Sequence, residues 1–596
     1  MDDQQELLKI KQELLKLPNG YISKKLINGK IRYYLQWNEN GKKKSKYIKE
    51  NDIDDIYSKI EYRKELQKRE KKLSIKLLTK KQNLYFYDSH NFKTNVMLGE
   101  NLKSYVLSVA KYKKRNIYIN ICDYLYSDIH DKVLILYGLR RTGKTTLIRQ
   151  AILEMNDDNF SKTAFIQVNL KNNLSDLNED LKYLMSMGYK YVFIDEVTII
   201  EDFIEGSAIF ADIFAACGMK IILSGTDSLG FFFSEDEQLY DRCIFLHTTF
   251  IPYKEFEEVL GIIGIDEYIC YGGTMSMGGI HYNEKSTFAT KKSVDEYVDS
   301  AIAKNIQHSL KFYQYGGHFR ELYSLYEKNE LTSVINRVIE DANHRFTLDV
   351  LIKDFASHDL GVAAKNLRSD RFKPTDCLDH INKKEFTKRL KNLLEIKNKS
   401  EQTIEISNEH REEIKEYLDI LDLTLDIPIE TLPVGKEKKF RTVFSQSGMR
   451  YSQAKYLICS LLLDEQFQTI SLNDRNVIIE RILNDIKGRM MEDIVLLETT
   501  IANYKKQVFK LQFAVGEFDM VIFDNNAKTC EIYEIKHNQE IVKEQYRHLI
   551  DKEKIEKTEF RYGKIVKKVV IYRGDNKTLE NGIEYRNVED YLKSLY

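Results

Sequence analysis

Short continuous runs of apolar residues, each ending in polar residues, recur through the first half of the chain. They cover residues 133–137, 163–169, 191–197 and 220–226. Runs of this length that stop abruptly are typical of buried strands. Because the first run is followed by a helical pattern, we predict an α/β unit built on a parallel sheet.

A different pattern occupies the first 80 residues. Residues 1–16 have the spacing of a short amphipathic helix, three strands follow at 21–25, 31–37 and 44–48, and helical spacing returns over 52–80. Asn-Gly pairs at 28–29 and 40–41 separate the strands, and such pairs suit hairpin turns. This predicts a small α+β module of helix, β-meander and long helix.

Helical patterns with charged faces dominate residues 290–470, where a winged helix fits 330–400 and residues 408–420 form another amphipathic helix. The last 120 residues change again, to a helix and then strands at 508–513, 516–523 and 530–536. A chain of 596 residues is too long for one core. We therefore predict several domains.

Charge is balanced over the chain but not within it. Lys plus Arg and Asp plus Glu both number 91, so a nucleic-acid surface must be local. Residues 1–80 hold 21 basic and 12 acidic residues, with Trp37 and several tyrosines on the strands. Basic charge interleaved with aromatics suits nucleic acid, whereas the alternative is a solvated meander whose aromatics form its own core.

Cysteine usage and hydropathy bear on the compartment. The seven cysteines are scattered and form no C-x-x-C pair, which fits reduced thiols and argues against a cysteine zinc cluster. The acidic start MDDQQELLKIK lacks a signal peptide's apolar segment, and no run approaches the length needed to span a bilayer. The sequence predicts a cytoplasmic protein without a membrane contact.

The first apolar run leads into a phosphate-binding motif. It is followed by GLRRTGKT and a helix, which is the G-x-x-x-x-G-K-[ST] loop in its strand-loop-helix context. Backbone N–H groups and the helix dipole would face the phosphates, Lys144 would reach the β- and γ-phosphates, and Thr145 would hold Mg²⁺. The predicted ATP contacts in the loop are Gly138, Arg141, Thr142, Gly143, Lys144, Thr145 and Thr146.

Acidic and hydroxyl residues end the later strands of this unit. Asp195 and Glu196 end the third apolar run, at the carboxyl edge where parallel sheets bind ligands. Asp195 is predicted beside Mg²⁺, and Glu196 is predicted to polarise a hydrolytic water. The next strand ends at Ser224 and Thr226, and its similarity to ATPases of the AAA+ type implies that one of them touches the γ-phosphate. The alternative is that these residues merely end their strand.

A second set of acids lies near the carboxyl terminus. Glu492 is on a helix, Asp519 is in the first strand of a hairpin, and Glu534 and Lys536 are in the second. Alternate residues of a strand share a face, so Glu534 and Lys536 must point the same way. The alternative is an exposed Glu-x-Lys pair on an amphipathic strand. Gln545 is interpreted as an exposed helical glutamine, and the alternative is a polar residue that assists this site.

This second set resembles the PD-(D/E)XK nuclease core, although Phe518 stands where the motif has proline. The resemblance implies that Glu492, Asp519 and Glu534 ligate Mg²⁺, or Mn²⁺ instead. Oxygen ligands suit such ions. It also implies that Lys536 activates the attacking water and stabilises charge on phosphorus during phosphodiester hydrolysis.

The order of phosphate loop, FIDEV, ILSGTDS, Asp241-Arg242, FIPYKEF and Tyr271-Gly272-Gly273 resembles a group of prokaryotic AAA+ ATPases with a winged-helix region and a C-terminal restriction-endonuclease-like domain. Arg242 matches a position where the family often has Gly-Arg, which implies nucleotide sensing. The implied fold is a P-loop AAA+ parallel-sheet ATPase core, a helical and winged-helix middle, and an α/β nuclease-like tail. The domains would be 1–80, 81–290, 291–470 and 471–596.

The resemblance implies an ATPase that controls a Mg²⁺-dependent nuclease acting on DNA, in defence against foreign DNA or in mobile-element biology. One alternative is a nucleotide-dependent switch whose tail only binds nucleic acid or a partner protein. Another is a DNA-remodelling ATPase that assembles as a ring. Assembly into a homo-oligomer stays open.

Overall fold

The computed structural model describes residues 9–10, 13–14, 16–27, 30–39, 42–84, 91–169, 171–200, 202–226, 231, 239–275, 302, 319–350, 392, 406–435, 438–462, 468 and 471–596. The chain divides into two compact units, Met1–Phe92 and Lys93–Tyr596. Within the described residues, no helix has the length and apolar character needed to cross a bilayer.

The first unit contains an antiparallel three-stranded sheet in the order β1-β2-β3. Its strands are β1 Tyr21–Ile27, β2 Lys30–Glu39 and β3 Lys42–Ile48. A 3₁₀ turn, Glu50–Asp52, leads into the long helix α1, Ile53–Leu84. The predicted meander and long helix are confirmed, whereas the Asn-Gly turns between the strands lie outside the described residues.

The second unit begins with a six-stranded sheet, which we call the P-loop sheet. Its strands are β4 Asn95–Met97, β5 Val133–Tyr137, β6 Thr163–Gln167, β7 Tyr191–Asp195, β8 Lys220–Gly225 and β9 Cys243–His247. The order is β4-β6-β7-β8-β5-β9. β4 pairs antiparallel with β6, and the other pairs are parallel. The predicted parallel sheet is confirmed, and β8 separates the strand before the phosphate loop from the strand that ends at Asp195.

Helices surround the P-loop sheet because its central strands are apolar on both faces and must be covered. They are α2 Gly99–Val106, α3 Tyr118–Tyr126, α4 Lys144–Leu153, α5 Asp157–Ser161, α6 Leu174–Ser186 and α7 Phe203–Gly206, and the helices α8 Tyr253–Leu260 and α9 Ile265–Tyr271 follow β9 along the chain. Short 3₁₀ helices, Leu107–Val109 and Val197–Ile199, and a π-helix, Phe210–Ala215, complete this layer.

The middle of the chain is described only in part. Its helices are α10 Arg320–Glu327, α11 Leu331–Val350 and α12 Asn408–Ile420. The predicted winged helix covers 330–400, and most of that stretch lies outside the described residues.

The second sheet, here called the C-terminal sheet, has eight strands in the order β11-β10-β12-β13-β14-β15-β17-β16. The strands are β10 Thr424–Leu432, β11 Lys439–Phe444, β12 Gln507–Phe513, β13 Glu517–Asp524, β14 Thr529–Ile535, β15 Lys564–Tyr572, β16 Lys577–Thr578 and β17 Glu584–Asn587. The helices beside it are α13 Ser447–Leu462, α14 Leu472–Ala502, α15 Lys552–Tyr562 and α16 Val588–Ser594, with a 3₁₀ turn at Lys543–Tyr546.

Two strands of this sheet come from the region predicted to be helical. β10 pairs in parallel with β12, and β11 pairs with β10. The C-terminal sheet therefore begins before residue 471, the predicted boundary. The sequence pattern missed this because the pairing joins residues about 80 positions apart, and such contacts leave no local periodicity.

One apolar cluster joins α8 and α9 to the C-terminal sheet and its helices. Phe256 and Ile269 are buried in the same cluster as Ile494, Val508 and Leu592. Most of the driving force for packing comes from removing such surface from water. The helices that follow the P-loop sheet are thus part of the core of the C-terminal sheet.

A buried carboxyl lies at the edge of this cluster. Glu498 on α14 accepts a hydrogen bond from the backbone N–H of Tyr253 at 2.8 Å. Burial raises the pKa of Glu498 to about 8, above its value in an unfolded chain. The folded protein therefore keeps a proton at Glu498 that the unfolded chain loses.

This linkage gives a testable pH dependence. The stability that Glu498 contributes is complete below the unfolded pKa and declines as pH rises to about 8, with a limiting slope of about 1.4 kcal/mol per pH unit. Glu498→Gln removes the ionisable group, so we expect its thermal midpoint to exceed that of the wild type by a margin that grows from pH 5 to pH 8. Parallel midpoint curves for the two proteins would contradict this assignment.

Candidate functional site

The phosphate loop connects β5 to α4 and depends on two glycines. Gly138 has φ of 136° and Gly143 has φ of 93°, conformations that favour glycine. A Cβ at Gly138 would lie 2.5 Å from the backbone O of Thr248. Glycine is therefore required on steric grounds at the first fixed position of the motif. Arg141 and Thr142 lie between the two glycines, and Thr146 lies in the first turn of α4.

Lys144 is buried at the amino terminus of α4. Its Nζ donates to the backbone O of Gly138 at 2.8 Å and of Leu139 at 2.9 Å. Burial lowers the pKa of Lys144 to about 8, although Glu196 and Asp195 oppose that shift. The ammonium group is thus held inside the loop, at the place where the motif needs a cation for phosphate.

Polar residues from two strands, β7 and β8, and from α4 meet at the carboxyl edge of the P-loop sheet. Thr145 Oγ1 donates to Asp195 Oδ2 at 2.9 Å. Ser224 Oγ donates to the other oxygen of Asp195. The structure therefore brings together the hydroxyl predicted to hold Mg²⁺, the acid predicted beside it, and the first of the two candidate γ-phosphate sensors.

Glu196 occupies a distinct position next to Asp195. Its backbone is left-handed, with φ of 59°, which is uncommon for a residue with a side chain. Thr226 Oγ1 donates to Glu196 Oε2 at 2.8 Å. Of the two hydroxyl residues that end β8, Ser224 therefore contacts Asp195, whereas Thr226 contacts Glu196.

A buried arginine that the sequence pattern did not reveal contacts the backbone of the phosphate loop. Arg115 donates through NH1 to the backbone O of Thr142 at 2.8 Å, and its Nε pairs with Glu255 Oε2 at 2.6 Å. Both side chains are almost fully buried. The two residues are 140 positions apart, and no local pattern connects them.

Arg242 lies at the opposite edge of the P-loop sheet. Its backbone O accepts a hydrogen bond from the N–H of Val133, the first residue of β5. The phosphate loop begins at the other end of β5, after Tyr137. The side chain of Arg242 pairs with Asp212 at 2.6 Å. A five-residue strand spans about 13 Å between its end residues. The structure thus contradicts the predicted nucleotide-sensing role of Arg242 within the same chain.

The predicted glycine pair packs near the loop. Gly273 has φ of 99°, and a Cβ there would lie 2.6 Å from Cα of Gln446. Two residues on, the backbone N–H of Met275 donates to the backbone O of Arg141 at 2.8 Å. This segment therefore contacts both the phosphate loop and the start of α13.

The second candidate site lies on the hairpin β13–β14 of the C-terminal sheet. Met520 pairs with Tyr533, so the next position places Asp519 opposite Glu534. Lys536 Nζ lies 2.9 Å from Asp519 Oδ2 and 2.7 Å from Glu534 Oε2. The predicted Asp, Glu and Lys are thus brought together on one face.

The electrostatics of this trio are unusual. Burial raises the pKa of Glu534 well above its ordinary range, and Asp519 adds to the shift. The pKa of Asp519 is lowered despite burial, because Lys536 lies beside it. Glu534 is 1% exposed, which contradicts the exposed Glu-x-Lys alternative.

One oxygen of this trio has no partner. Oε1 of Glu534 is buried without a hydrogen bond, and a polar atom left without a partner in a protein interior is costly. Asp519 and Glu534 already pair with one cation, the Lys536 ammonium. Two such carboxylates fit the oxygen chemistry that Mg²⁺ prefers.

Glu492, the third predicted ligand, faces a different environment. Its carboxylate lies 2.8 Å from Arg441 NH1 and 2.8 Å from Arg489 NH1, and it also contacts Lys510 Nζ. Although burial opposes the shift, these cations hold the pKa of Glu492 well below its ordinary range. Both oxygens of Glu492 are therefore already engaged by positive charge.

Glu517 is a further acid at this site. Glu492, Glu517 and Asp519 each offer a carboxylate oxygen, and these oxygens all lie within 4.8 Å of one another. Lys510 Nζ is 3.1 Å from Glu517 Oε1. Glu517 and Asp519 are alternate residues of β13 and share a face, a spacing that could have identified Glu517 from the sequence.

Gln545 is not exposed. It lies in the 3₁₀ turn Lys543–Tyr546 and is 7% exposed. Its Nε2 donates to the backbone O of Glu540 at 2.9 Å, and Tyr585 donates to its Oε1 at 3.0 Å. The interpretation of Gln545 as an exposed helical glutamine is wrong, because the turn folds back onto the C-terminal sheet.

The sheet order, the phosphate loop and the contacts of Asp195 define a P-loop nucleotide-binding domain. Residues 130–257 match the family described as "AAA domain". This part of the chain is therefore an AAA-type ATPase domain, a class that binds nucleotide, usually with Mg²⁺.

Other comparisons are less informative. Residues 1–58 match a "Domain of unknown function (DUF6788)", and a search of the curated proteins found no match. The chain is similar to a solved structure of C. elegans PCH-2 with 15% sequence identity and a TM-score of 0.18. That alignment covers 37% of this chain and 64% of PCH-2, which is less than two thirds of that protein.

Proposed function

We propose that this chain binds and hydrolyses ATP and uses the nucleotide state to control a Mg²⁺-dependent nuclease site on the C-terminal sheet, with DNA as the substrate. The observation that carries the nuclease proposal is the meeting of Asp519, Glu534 and Lys536 on one face of a hairpin. Defence against foreign DNA, a cytoplasmic location and assembly with further chains stay predictions.

The contacts of the phosphate loop and of Asp195 support the proposed ATP site. Lys144 would exchange its two carbonyl partners for phosphate oxygens, and Thr145 with Asp195 would hold Mg²⁺. The hydrogen bond from Thr226 engages one carboxylate oxygen of Glu196. Once this hydrogen bond breaks, Glu196 would polarise the attacking water. Slow hydrolysis is expected while Glu196 keeps this partner.

The contacts among Asp519, Glu534 and Lys536 support the proposed nuclease site. Asp519 and Glu534 would hold Mg²⁺, or Mn²⁺ in its place, which polarises the phosphodiester when bound. Lys536 would then be free to orient the attacking water and to stabilise negative charge on the phosphate. Glu492 stays a predicted ligand, although its three cationic neighbours also suit contacts with the phosphates of a substrate.

A continuous set of contacts supports control of one site by the other. Glu492 and Glu498 lie on α14, about 9 Å apart along the helix axis. Glu498 accepts from the backbone of Tyr253 on α8. Two residues later, Glu255 pairs with Arg115, which contacts the phosphate loop. A shift of the loop on binding ATP would therefore reach the helix that carries Glu492.

Cleavage by the purified full-length chain tests the proposal. We expect single- or double-stranded DNA to be cut with Mg²⁺ or Mn²⁺, not with a chelator, and at a rate that ATP changes. ATP hydrolysis is measured in the same reactions. Absence of cleavage on every substrate would overturn the nuclease assignment and favour a nucleotide-dependent switch. A switch also fits the ion pairs that Glu492 makes with three cationic side chains, because they occupy both of its carboxylate oxygens.

A further inference from the structure

The sheet of the first unit has two unlike faces. In register, Ile22 lies opposite Leu35, and Tyr33 lies opposite Ile48. Ile48 is 3% exposed. The same face also carries the exposed side chains of Lys24, Lys44 and Lys46. The alternate residues of the same strands form the second face, which we call the tyrosine face.

The tyrosine face carries aromatic rings on all three strands. Tyr34 lies directly opposite Tyr47, and its other neighbour, Ser23, is two residues from Tyr21. The rings of Tyr34 and Tyr47 meet edge to face, with centroids 5.6 Å apart. Tyr21 is 52% exposed and Tyr47 is 51% exposed. Large rings with half their surface in water are available to stack on a ligand.

Positive charge accompanies the rings. Arg32 lies on β2 two residues before Tyr34 and is exposed, and Lys49, just past β3, is also exposed. Among the residues of the three strands, the one acid is Glu39 at the end of β2. A polyanion would relieve this concentration of positive charge.

We propose that the tyrosine face binds single-stranded nucleic acid. Unpaired bases would stack on Tyr21, Tyr34 and Tyr47, while Arg32 and Lys49 would contact phosphates. Sheets that present aromatics in this way suit single strands because a paired base keeps its faces inside the duplex. This inference goes beyond the proposed function and requires neither ATP nor cleavage.

Trp37 gives the experiment its readout. It is the single tryptophan of the chain, and it lies on the opposite face of the same sheet, since it is three positions from Tyr34 on β2. We would titrate the full-length chain with an oligothymidylate, without divalent metal and in an Asp519→Asn background, and follow Trp37 emission together with anisotropy of a labelled oligonucleotide.

We expect Tyr47→Ala and Tyr34→Leu each to weaken binding about tenfold. Arg32→Ala should reduce the slope of log affinity against log salt by about 0.7. The matched control is Tyr57→Ala, an exposed tyrosine on α1, which should leave affinity unchanged. Far-ultraviolet circular dichroism checks that each variant is folded.

Two outcomes would overturn the inference. One is unchanged affinity in the Tyr34→Leu/Tyr47→Ala double variant, because stacking would then contribute nothing. The other is equal binding of a duplex and a single strand of the same length. Cleavage contributes to neither outcome, since Asp519 is replaced and metal is absent throughout.

Discussion

Lys144→Ala is expected to weaken ATP binding at least about a hundredfold, or about 2.8 kcal/mol. The ammonium lies inside the phosphate loop, 2.8 Å from the backbone O of Gly138. Its removal takes away the one charged donor that the motif directs at the β- and γ-phosphates. Titration with a fluorescent, non-hydrolysable ATP analogue measures the loss.

Two further variants make this result specific. Lys144→Met keeps the apolar stem and separates loss of charge from loss of packing, so it should bind as poorly as Lys144→Ala. Lys132 pairs with Asp241 and lies just before β5, at the end of the strand that is away from the phosphate loop. Lys132→Ala should therefore bind ATP normally. Near-normal affinity in Lys144→Ala would mean that this loop does not hold the phosphates.

Asp519→Asn is expected to reduce DNA cleavage about a thousandfold or more, while ATP binding and hydrolysis stay near wild-type rates. The Asp519 carboxylate accepts hydrogen bonds from Lys536 Nζ and from the backbone N–H of Ile535, the latter at 2.8 Å. The neutral amide keeps the shape but loses the charge that pairs with a cation. Initial rates on one labelled substrate at saturating Mg²⁺ provide the comparison.

Glu531→Gln is the matched control for this site. Glu531 lies on β14 like Glu534, but three residues away and so on the other face of the strand. Its loss should leave cleavage unchanged. Equal cleavage by Asp519→Asn and wild type would remove the nuclease site from this hairpin, whether or not ATP is hydrolysed.

Much of the P-loop sheet could be predicted because its signals are local. A five-residue apolar strand, fixed glycines and a helix that starts at Lys144 all lie within about twenty residues. The same holds for Glu534 and Lys536, whose common face follows from alternation alone. The local pattern of strand runs and Asn-Gly pairs also predicted the meander of the first unit.

The parts that could not be predicted depend on long-range contacts. Arg115 resembles any surface arginine until the fold places it against Glu255. Lys510 lies in an ordinary strand, yet its side chain is 2% exposed between two acids. β10 pairs with β12, which comes about 80 residues later in the chain. Sequence periodicity describes the faces of an element and does not identify its partners.

The apolar cluster around α8 and α9 also determines how this chain tolerates being divided. A cut after α9 would leave Phe256, Ile269 and their partners on α14 facing water, and exposed patches of this kind promote aggregation. The AAA-type domain and the C-terminal sheet are therefore poor candidates for separate expression or domain shuffling. Residues 1–92 form a compact unit and are the natural place to exchange a module.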